Sequence, residues 1–269
     1  YYAAASDGEF VKLHRKTYGF DADDAAHRPA IVFLNGMTQS TAHWKSNARA
    51  FADTYRVVTY DARGQGETPP GEEQLTLALH AEDLAGLLDE LDVESAHLVG
   101  FSHGARIALQ FANSFPARVR KLVLVSSTAT PAALARMIVR SWREVLALGG
   151  LEAMSWTALP VILGDRYLAA SERMVSGIIK ASIDRNTEEG IRRLLDAMID
   201  YPDLGDLARG VQAETLVMSA DQDLLVTKAG AQELARICGG EHVEVADSGH
   251  TIPIEAPQEF RSILRQFLT

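Results

Sequence analysis

The chain has 269 residues, 47% of them hydrophobic and 23% charged, with 20 Gly and 9 Pro. That balance excludes collagen-like, low-complexity and disordered chains, and the length suits one large α/β domain with an insertion as well as two separate domains. A formal charge of −10 argues against general binding to nucleic acid or to an anionic membrane surface, which both favour basic proteins. The single Cys238 excludes an intrachain disulfide, so folding rests on a buried core. No apolar run approaches the ~18–20 residues that span a bilayer, and no membrane partner is expected. The chain opens on Tyr1-Tyr2 without Met, as a processed chain, a tag scar or a domain cut from a longer protein would. Tyr1–Ser6 is too short and lacks the basic start of a signal peptide, and a cytoplasmic location is expected.

In chain order, Phe10–Tyr18 (FVKLHRKTY) predicts one or two antiparallel strands at a sheet edge. Further strands are predicted at Ala30–Leu34, Arg56–Tyr60, Ala96–Gly100, Lys121–Val125, Thr215–Met218 and His242–Val245. Several are continuously apolar and β-branched, the pattern of parallel strands covered on both faces. Between them, Leu77, Leu84, Leu87, Leu88 and Leu91 share one helical face, with Glu82, Asp83, Asp89 and Glu90 outside it. The alternation predicts a doubly wound, mostly parallel α/β fold. From about 130 to 207 only helical patterns occur. Leu134, Met137, Ile138, Trp142, Val145 and Leu146 form one stripe. Ile191, Leu194, Leu195, Met198 and Ile199 form another, capped by Asn186 or Thr187 and stopped at Tyr201-Pro202. Residues 131–207 are therefore expected to be an all-helical cap inserted into a core made of 1–130 and 208–269.

Gly100-Phe101-Ser102-His103-Gly104 is a G-x-S-x-G sequence entered by an apolar strand and left by a helical pattern. Flanking glycines leave room for a strained turn that lifts a serine hydroxyl above the sheet edge, and the helix start sets N–H groups beside developing negative charge. The alternative is a serine that merely caps a helix. A serine nucleophile needs a base. Of eight histidines, His250 follows the last strand in Ser248-Gly249-His250. His14 and His242 lie in strand patterns, His27 and His43 in loops, His80 on the Leu-rich helix face as a packed core residue, and His97 inside a strand. The orienting acid is expected after Thr215–Met218. Asp223 is preferred there and Asp221 is the alternative, while Asp247 is expected to be solvated.

The order Ser102, Asp223, His250 is that of the α/β-hydrolase fold, and the sequence resembles that superfamily over essentially its whole length. Four stretches carry the likeness: Asn35–Ser40, Asp61–Thr68, the nucleophile turn, and Ser248-Gly249-His250 with Glu255-Ala256-Pro257. The resemblance implies that Arg63 is structural. It also implies an oxyanion hole made by the backbone N–H groups of Met37 and His103. The serine sets the chain apart from members of the fold that use an aspartate nucleophile, the dehalogenases and epoxide hydrolases. Two positions depart from the pattern: Asn35 stands where His is usual, which leaves the bracing of that loop open and resembles enol-lactonase-like members. His103 stands where Met or Gln is more common. Its side chain either packs near the acid-bearing loop or adds a titrating group to the site.

The implied reaction is hydrolysis of a carboxylic ester through an acyl-enzyme, on a small to medium, largely apolar small-molecule substrate. Trp142, Trp156, Met137 and Leu159 are candidates to line the acyl pocket, together with Met154 and Ile162. A lactonase, on enol-lactones or acyl-homoserine lactones, and an acyl thioesterase working with a carrier protein are the alternatives. A perhydrolase, a C–C hydrolase and a non-enzymatic ligand receptor would use the same frame. No cofactor and no metal are expected, because the histidines lack ligand spacing and neither G-x-G-x-x-G nor a P-loop occurs.

Overall fold

The computed structural model describes residues 11–269. Seven strands form one sheet: β1 (Arg15–Tyr18), β2 (Ala30–Leu34), β3 (Arg56–Tyr60), β4 (Ala96–Phe101), β5 (Val119–Val125), β6 (Glu214–Ala220) and β7 (Glu241–Val245). Their spatial order is β1-β3-β2-β4-β5-β6-β7. Only β1 is antiparallel, pairing with β3 from Arg15 opposite Tyr60 to Tyr18 opposite Val57. Phe10, the start of the expected edge segment, lies outside the described residues. The core helices are α1 (Thr41–Arg49), α2 (Leu77–Glu90) and α3 (His103–Ser114). The insertion follows with α4 (Ala133–Ile162), α5 (Asp165–Ser171), α6 (Val175–Ile183), α7 (Glu188–Asp200) and α8 (Gly205–Arg209). The chain then returns through α9 (Lys228–Cys238), α10 (Ile252–Glu255) and α11 (Pro257–Leu268).

Strand periodicity explains the two-sided core. Ala30, Val32 and Leu34 pack with α2, α3 and α9 on one face of the sheet, while Ile31 and Phe33 pack with Trp44, Phe260 and Leu264 of α1 and α11 on the other. The same alternation runs through Leu122 and Leu124 against Val123 and Val125. This is the doubly wound α/β-hydrolase architecture, and it requires apolar residues at successive strand positions because both faces are covered.

All five helices between β5 and β6 belong to the inserted segment in sequence, but Leu204 and Ala208 already pack in the core of the sheet. The insertion therefore rejoins the core slightly before residue 207. Its long helix α4 departs from the sequence reading in two ways. By length and composition it is apolar enough to cross a bilayer, although no such run was expected. Gly150, at φ 72° and ψ −174°, breaks it into two arms. At ~1.5 Å per residue neither arm reaches the ~30 Å of a hydrocarbon core. Trp142, Leu146, Met154 and Ala158 pack from both arms onto Ile191, Leu194 and Leu195 of α7. The expected stripe is also misregistered: Leu134 and Met137 are 62% and 59% exposed. Along α7 the stripe falls as expected, with Thr187 capping the helix by accepting from Gly190 N–H.

Histidine 80 packs on α2 as anticipated, 1% exposed, with neither ring nitrogen hydrogen-bonded. Burial, with the charge of Arg63, pushes it down to about 3. Burial likewise holds His97 near 4 beside Arg120 and Lys121. Above an unfolded value of about 6.5 these rings are neutral in both states. Below it the unfolded chain binds protons that the folded chain refuses, so stability falls as pH drops from 6.5 towards 3–4. At pH 5 each such ring costs roughly 2 kcal/mol. The melting temperature is expected to fall between pH 7.5 and 5, and His80→Leu to shrink that fall by roughly 4–8 °C. An unchanged fall in His80→Leu would remove His80 from this account.

Candidate active site

Strand β4 delivers the chain to Ser102, which sits at φ 51° and ψ −109° before α3 begins. A non-glycine residue at positive φ is strained, and the surroundings must hold it there. Close approach of the backbone does so. A Cβ on Gly104 would meet the carbonyl oxygens of Leu34 and Asn35, and one on Gly100 would meet the backbone of Gly104 and Ala105. Ser102 occupies the N-cap position of α3, but its side chain makes no capping hydrogen bond. Its hydroxyl instead lies 2.8 Å from His250 Nε2.

His250 Nδ1 lies 2.8 Å from Asp223 Oδ2, so the ring donates to the carboxylate and presents Nε2 as acceptor to the serine. The other Asp223 oxygen accepts from Leu225 N–H at 2.8 Å and Val226 N–H at 3.0 Å. Asp221 turns the other way and accepts from Ser248 N–H at 3.3 Å, bracing the histidine loop. Asp247 is exposed, 3.5 Å from Arg166. The histidine loop is held further by Ser126 Oγ, which donates to the His250 carbonyl at 2.7 Å. Glu255 accepts from the N–H groups of Gly249, Thr251 and Gly164 and from the Thr251 hydroxyl. Because Gly164 lies between α4 and α5, this one carboxylate ties the histidine loop to the insertion.

The loop after β2 resolves the question posed by Asn35. Its Nδ2 donates to Tyr60 O at 2.9 Å and Asp61 Oδ1 at 3.0 Å, and its Oδ1 accepts from Trp44 Nε1 at 2.9 Å. Asp61 also accepts from Thr41 N–H at 2.7 Å and Glu67 N–H at 3.1 Å. Gln65 Nε2 donates to the Gly36 and Met37 carbonyls. With its carbonyl engaged in this way the Met37 peptide is fixed. Among the described residues, the N–H groups of Met37 and His103 have no backbone or side-chain acceptor. The His103 N–H is among the first-turn donors that an α-helix leaves unpaired. Arg63 is bonded to Asp83 and Glu73, so Asp83 faces inward to it and not outward as its place on α2 suggested. The His103 side chain makes its hydrogen bond away from the acid-bearing loop. Its Nε2 lies 3.1 Å from the Tyr201 hydroxyl, and its ring meets His80 edge-on. Burial, then the charges of His80 and Arg106, hold it well below the ordinary histidine value.

Above the serine, the insertion and the core enclose a cavity of about 820 Å³ lined by Ser102, His250 and Met37. Trp142, Met154, Leu159 and Ile162 line it as expected. Met137 and Trp156 do not: Trp156 is 47% exposed, and both fall outside the wall positions Ala135, Val139, Trp142 and Met154, Ala158, Leu159. Met137 lies on the same arm as Trp142 but is 59% exposed, so its apolar side chain alone did not place it at the cavity. His43, expected in a loop, is in α1 and reaches the cavity. It accepts from Ser40 N–H through Nδ1, and burial beside Arg185 pushes it down to about 4. The lining also carries Arg106, Arg136, Arg140, Arg173 and Arg185, which the expectation of a largely apolar pocket did not include. Among the described residues no group of three His, Cys, Asp or Glu is placed to hold a metal ion.

A strained serine between strand and helix, a histidine and an acid from later loops of the same sheet, and a helical roof define the class of a capped α/β hydrolase. The model of the alpha/beta hydrolase family matches residues 31–263, and the chain belongs to that family. It is 30% identical over 264 residues to "Putative carbamate hydrolase RutD" of Pantoea ananatis, covering 95% of this chain and 93% of the relative. It is 26% identical to 3-oxoadipate enol-lactonase 1 of Acinetobacter baylyi, over 94% and 93% of the two chains. The crystal structure of the enol-lactonase from Burkholderia xenovorans superposes with a TM-score of 0.87 at 24% identity, over 98% of both chains, a likeness of fold.

Proposed function

We propose that this hydrolase cleaves a carboxylic ester of a small to medium substrate through an acyl-enzyme formed on Ser102. The observation that carries the reading is the unbroken hydrogen-bonded line Ser102–His250–Asp223 at the base of the cavity. In the first step Ser102 Oγ attacks the carbonyl carbon and its proton passes to His250 Nε2. Asp223 keeps the ring in the tautomer that can accept it and offsets the imidazolium charge. The oxyanion is received by the N–H groups of Met37 and His103. One such donor is worth roughly 2.7–4 kcal/mol in the transition state. His250 then protonates the leaving oxygen, the C–O bond breaks, and water activated by the same ring releases the acid. The apolar wall formed by Trp142, Met154, Leu159 and Ile162 gives the carbon skeleton of the substrate its place.

A lactonase is the second reading, favoured by the relatives named as enol-lactonases, since a lactone presents the same carbonyl and keeps its leaving group tethered. The test has two arms. A fluorophosphonate is expected to label Ser102 alone, read by mass spectrometry, and labelling elsewhere would overturn the assignment of the nucleophile. A panel of esters, lactones, carbamates and acyl thioesters of matched size is expected to give its highest kcat/KM on an ester. A lactone turned over at least tenfold faster would replace the ester reading with the lactonase one.

A further inference from the structure

The cavity is electropositive in a protein that is strongly acidic overall. The sequence holds 36 acidic and 26 basic residues, yet the lining contains five arginines and one carboxylate, Asp203. That carboxylate is engaged, accepting from the Thr130 hydroxyl at 2.9 and 2.7 Å. Arginines usually find a carboxylate, as nine others do among the described residues, from Arg15 with Glu90 to Arg236 with Glu233. The cavity arginines are different. Arg136 donates to the Pro131 carbonyl. Among the described residues, the guanidinium groups of Arg106, Arg140, Arg173 and Arg185 take part in none of the ion pairs, and Arg106 has no side-chain hydrogen bond.

Arg106 is the best placed. It lies one turn beyond Ser102 on α3, where its N–H reaches the Ser102 carbonyl at 3.4 Å, and it is half-buried in the cavity wall. Burial draws it below the ordinary arginine value, with Tyr201 and Asp203 acting against that fall. Among the described residues its five N–H donors have no hydrogen-bond acceptor, and it remains a cation beside Tyr201 and Asp203 in the wall of the cavity that Ser102 also lines. Desolvating a guanidinium without a partner is unfavourable, and a planar donor fork matches a carboxylate. Arg140, Arg173 and Arg185, exposed on the insertion at the same cavity, add a field that draws anions towards the entrance.

We propose that the substrate carries a carboxylate besides the bond to be cleaved, and that Arg106 is the specificity residue that binds it. This deepens the acyl-enzyme reading and rests on it. The anion completes the unpaired guanidinium while the apolar wall covers the carbon chain between it and the ester. The carboxylate can belong to the acyl group or to the leaving group, and the two are separable by choice of ester.

The experiment compares two matched pairs: 4-nitrophenyl hemiglutarate with 4-nitrophenyl pentanoate, and 4-acetoxybenzoate with phenyl acetate. At least one anionic member is expected to exceed its neutral partner by about 10- to 100-fold in kcat/KM, the usual weight of a charge-assisted hydrogen bond. The pair that shows it identifies the side carrying the charge. In Arg106→Gln that ratio is expected to collapse towards one through KM, and Arg106→Lys to keep part of it. Glutarate is expected to inhibit the wild-type enzyme competitively against a neutral ester, more weakly as salt rises, which needs no variant to fold. Neutral esters preferred in both pairs, a ratio unchanged in Arg106→Gln, or no inhibition by glutarate would overturn the proposal. Each of those outcomes leaves Ser102-dependent hydrolysis standing. Loss of the underlying reading would be seen differently, as no Ser102-dependent turnover of any ester and no fluorophosphonate label.

Discussion

Ser102→Ala and His250→Ala are each expected to lower kcat by several orders of magnitude, up to ~10⁶, and the double substitution to cost little more. Without the hydroxyl there is no nucleophile for His250 to activate. Without the ring the serine keeps its proton at neutral pH, so either loss alone disables the unit. The 2.8 Å contacts on both sides of the imidazole make this coupling a geometric necessity. Residual rate is expected from the Met37 and His103 N–H groups, which neither substitution touches. Steady-state kinetics on one ester, in the two single variants and the double, decides it. Losses that multiply would show two groups acting independently and would break the proposed proton path.

Asp61→Ala is expected to lower stability by roughly 3–5 kcal/mol and to lower kcat with it. The side chain is 1% exposed and accepts from Asn35 Nδ2, Thr41 N–H and Glu67 N–H. Removing it leaves three buried donors unpaired, at about 1–3 kcal/mol each before relaxation. At about 2–4 °C per kcal/mol for a chain of this size, the melting temperature falls by roughly 10 °C. Activity follows because Asn35, which Asp61 holds, precedes Gly36 and the Met37 donor. Burial raises the Asp61 carboxyl above its ordinary value despite these bonds, so its charge contributes less than its acceptor geometry. Asp61→Asn, which keeps one acceptor oxygen, is therefore expected to fall between Ala and the wild type. A melting temperature within about 2 °C of wild type for Asp61→Ala would show that the loop is braced without it.

Local patterns carried the sheet and the strained turn at Ser102. Runs such as Ala30–Leu34 and Arg56–Tyr60 coincide with β2 and β3, because a strand covered on both faces has little freedom in residue type. The elbow was visible because crowding at Gly100 and Gly104 admits no side chain, a demand made within five residues. The insertion was legible as helix, and in phase along α7, but not in its phase along α4. Met137 and Trp156 were assigned to the pocket as apolar residues of the cap, yet they are 59% and 47% exposed, because hydrophobicity alone does not say which face of a helix meets the cavity. His43 was placed in a loop because a helix of nine residues leaves a short signal. Asp223 and Asp221 were separable only by preference, both following the same strand. Their opposite orientations towards His250 and Ser248 come from the turn that binds the Asp223 carboxylate to Leu225 and Val226.

What the amino-acid order determined alone is therefore the fold, the serine, the histidine and the neighbourhood of the acid, since each depends on packing or turn chemistry within a few residues. The folded chain decided how Asn35 serves as a brace, which way His103 points, and which cap residues face the cavity. It also gathered arginines from α3, α4 and the turns beside α5 and α7 into one cavity. Charge far apart in sequence has no local signature: it becomes a field only when folding brings it within a Debye length in a low-dielectric wall.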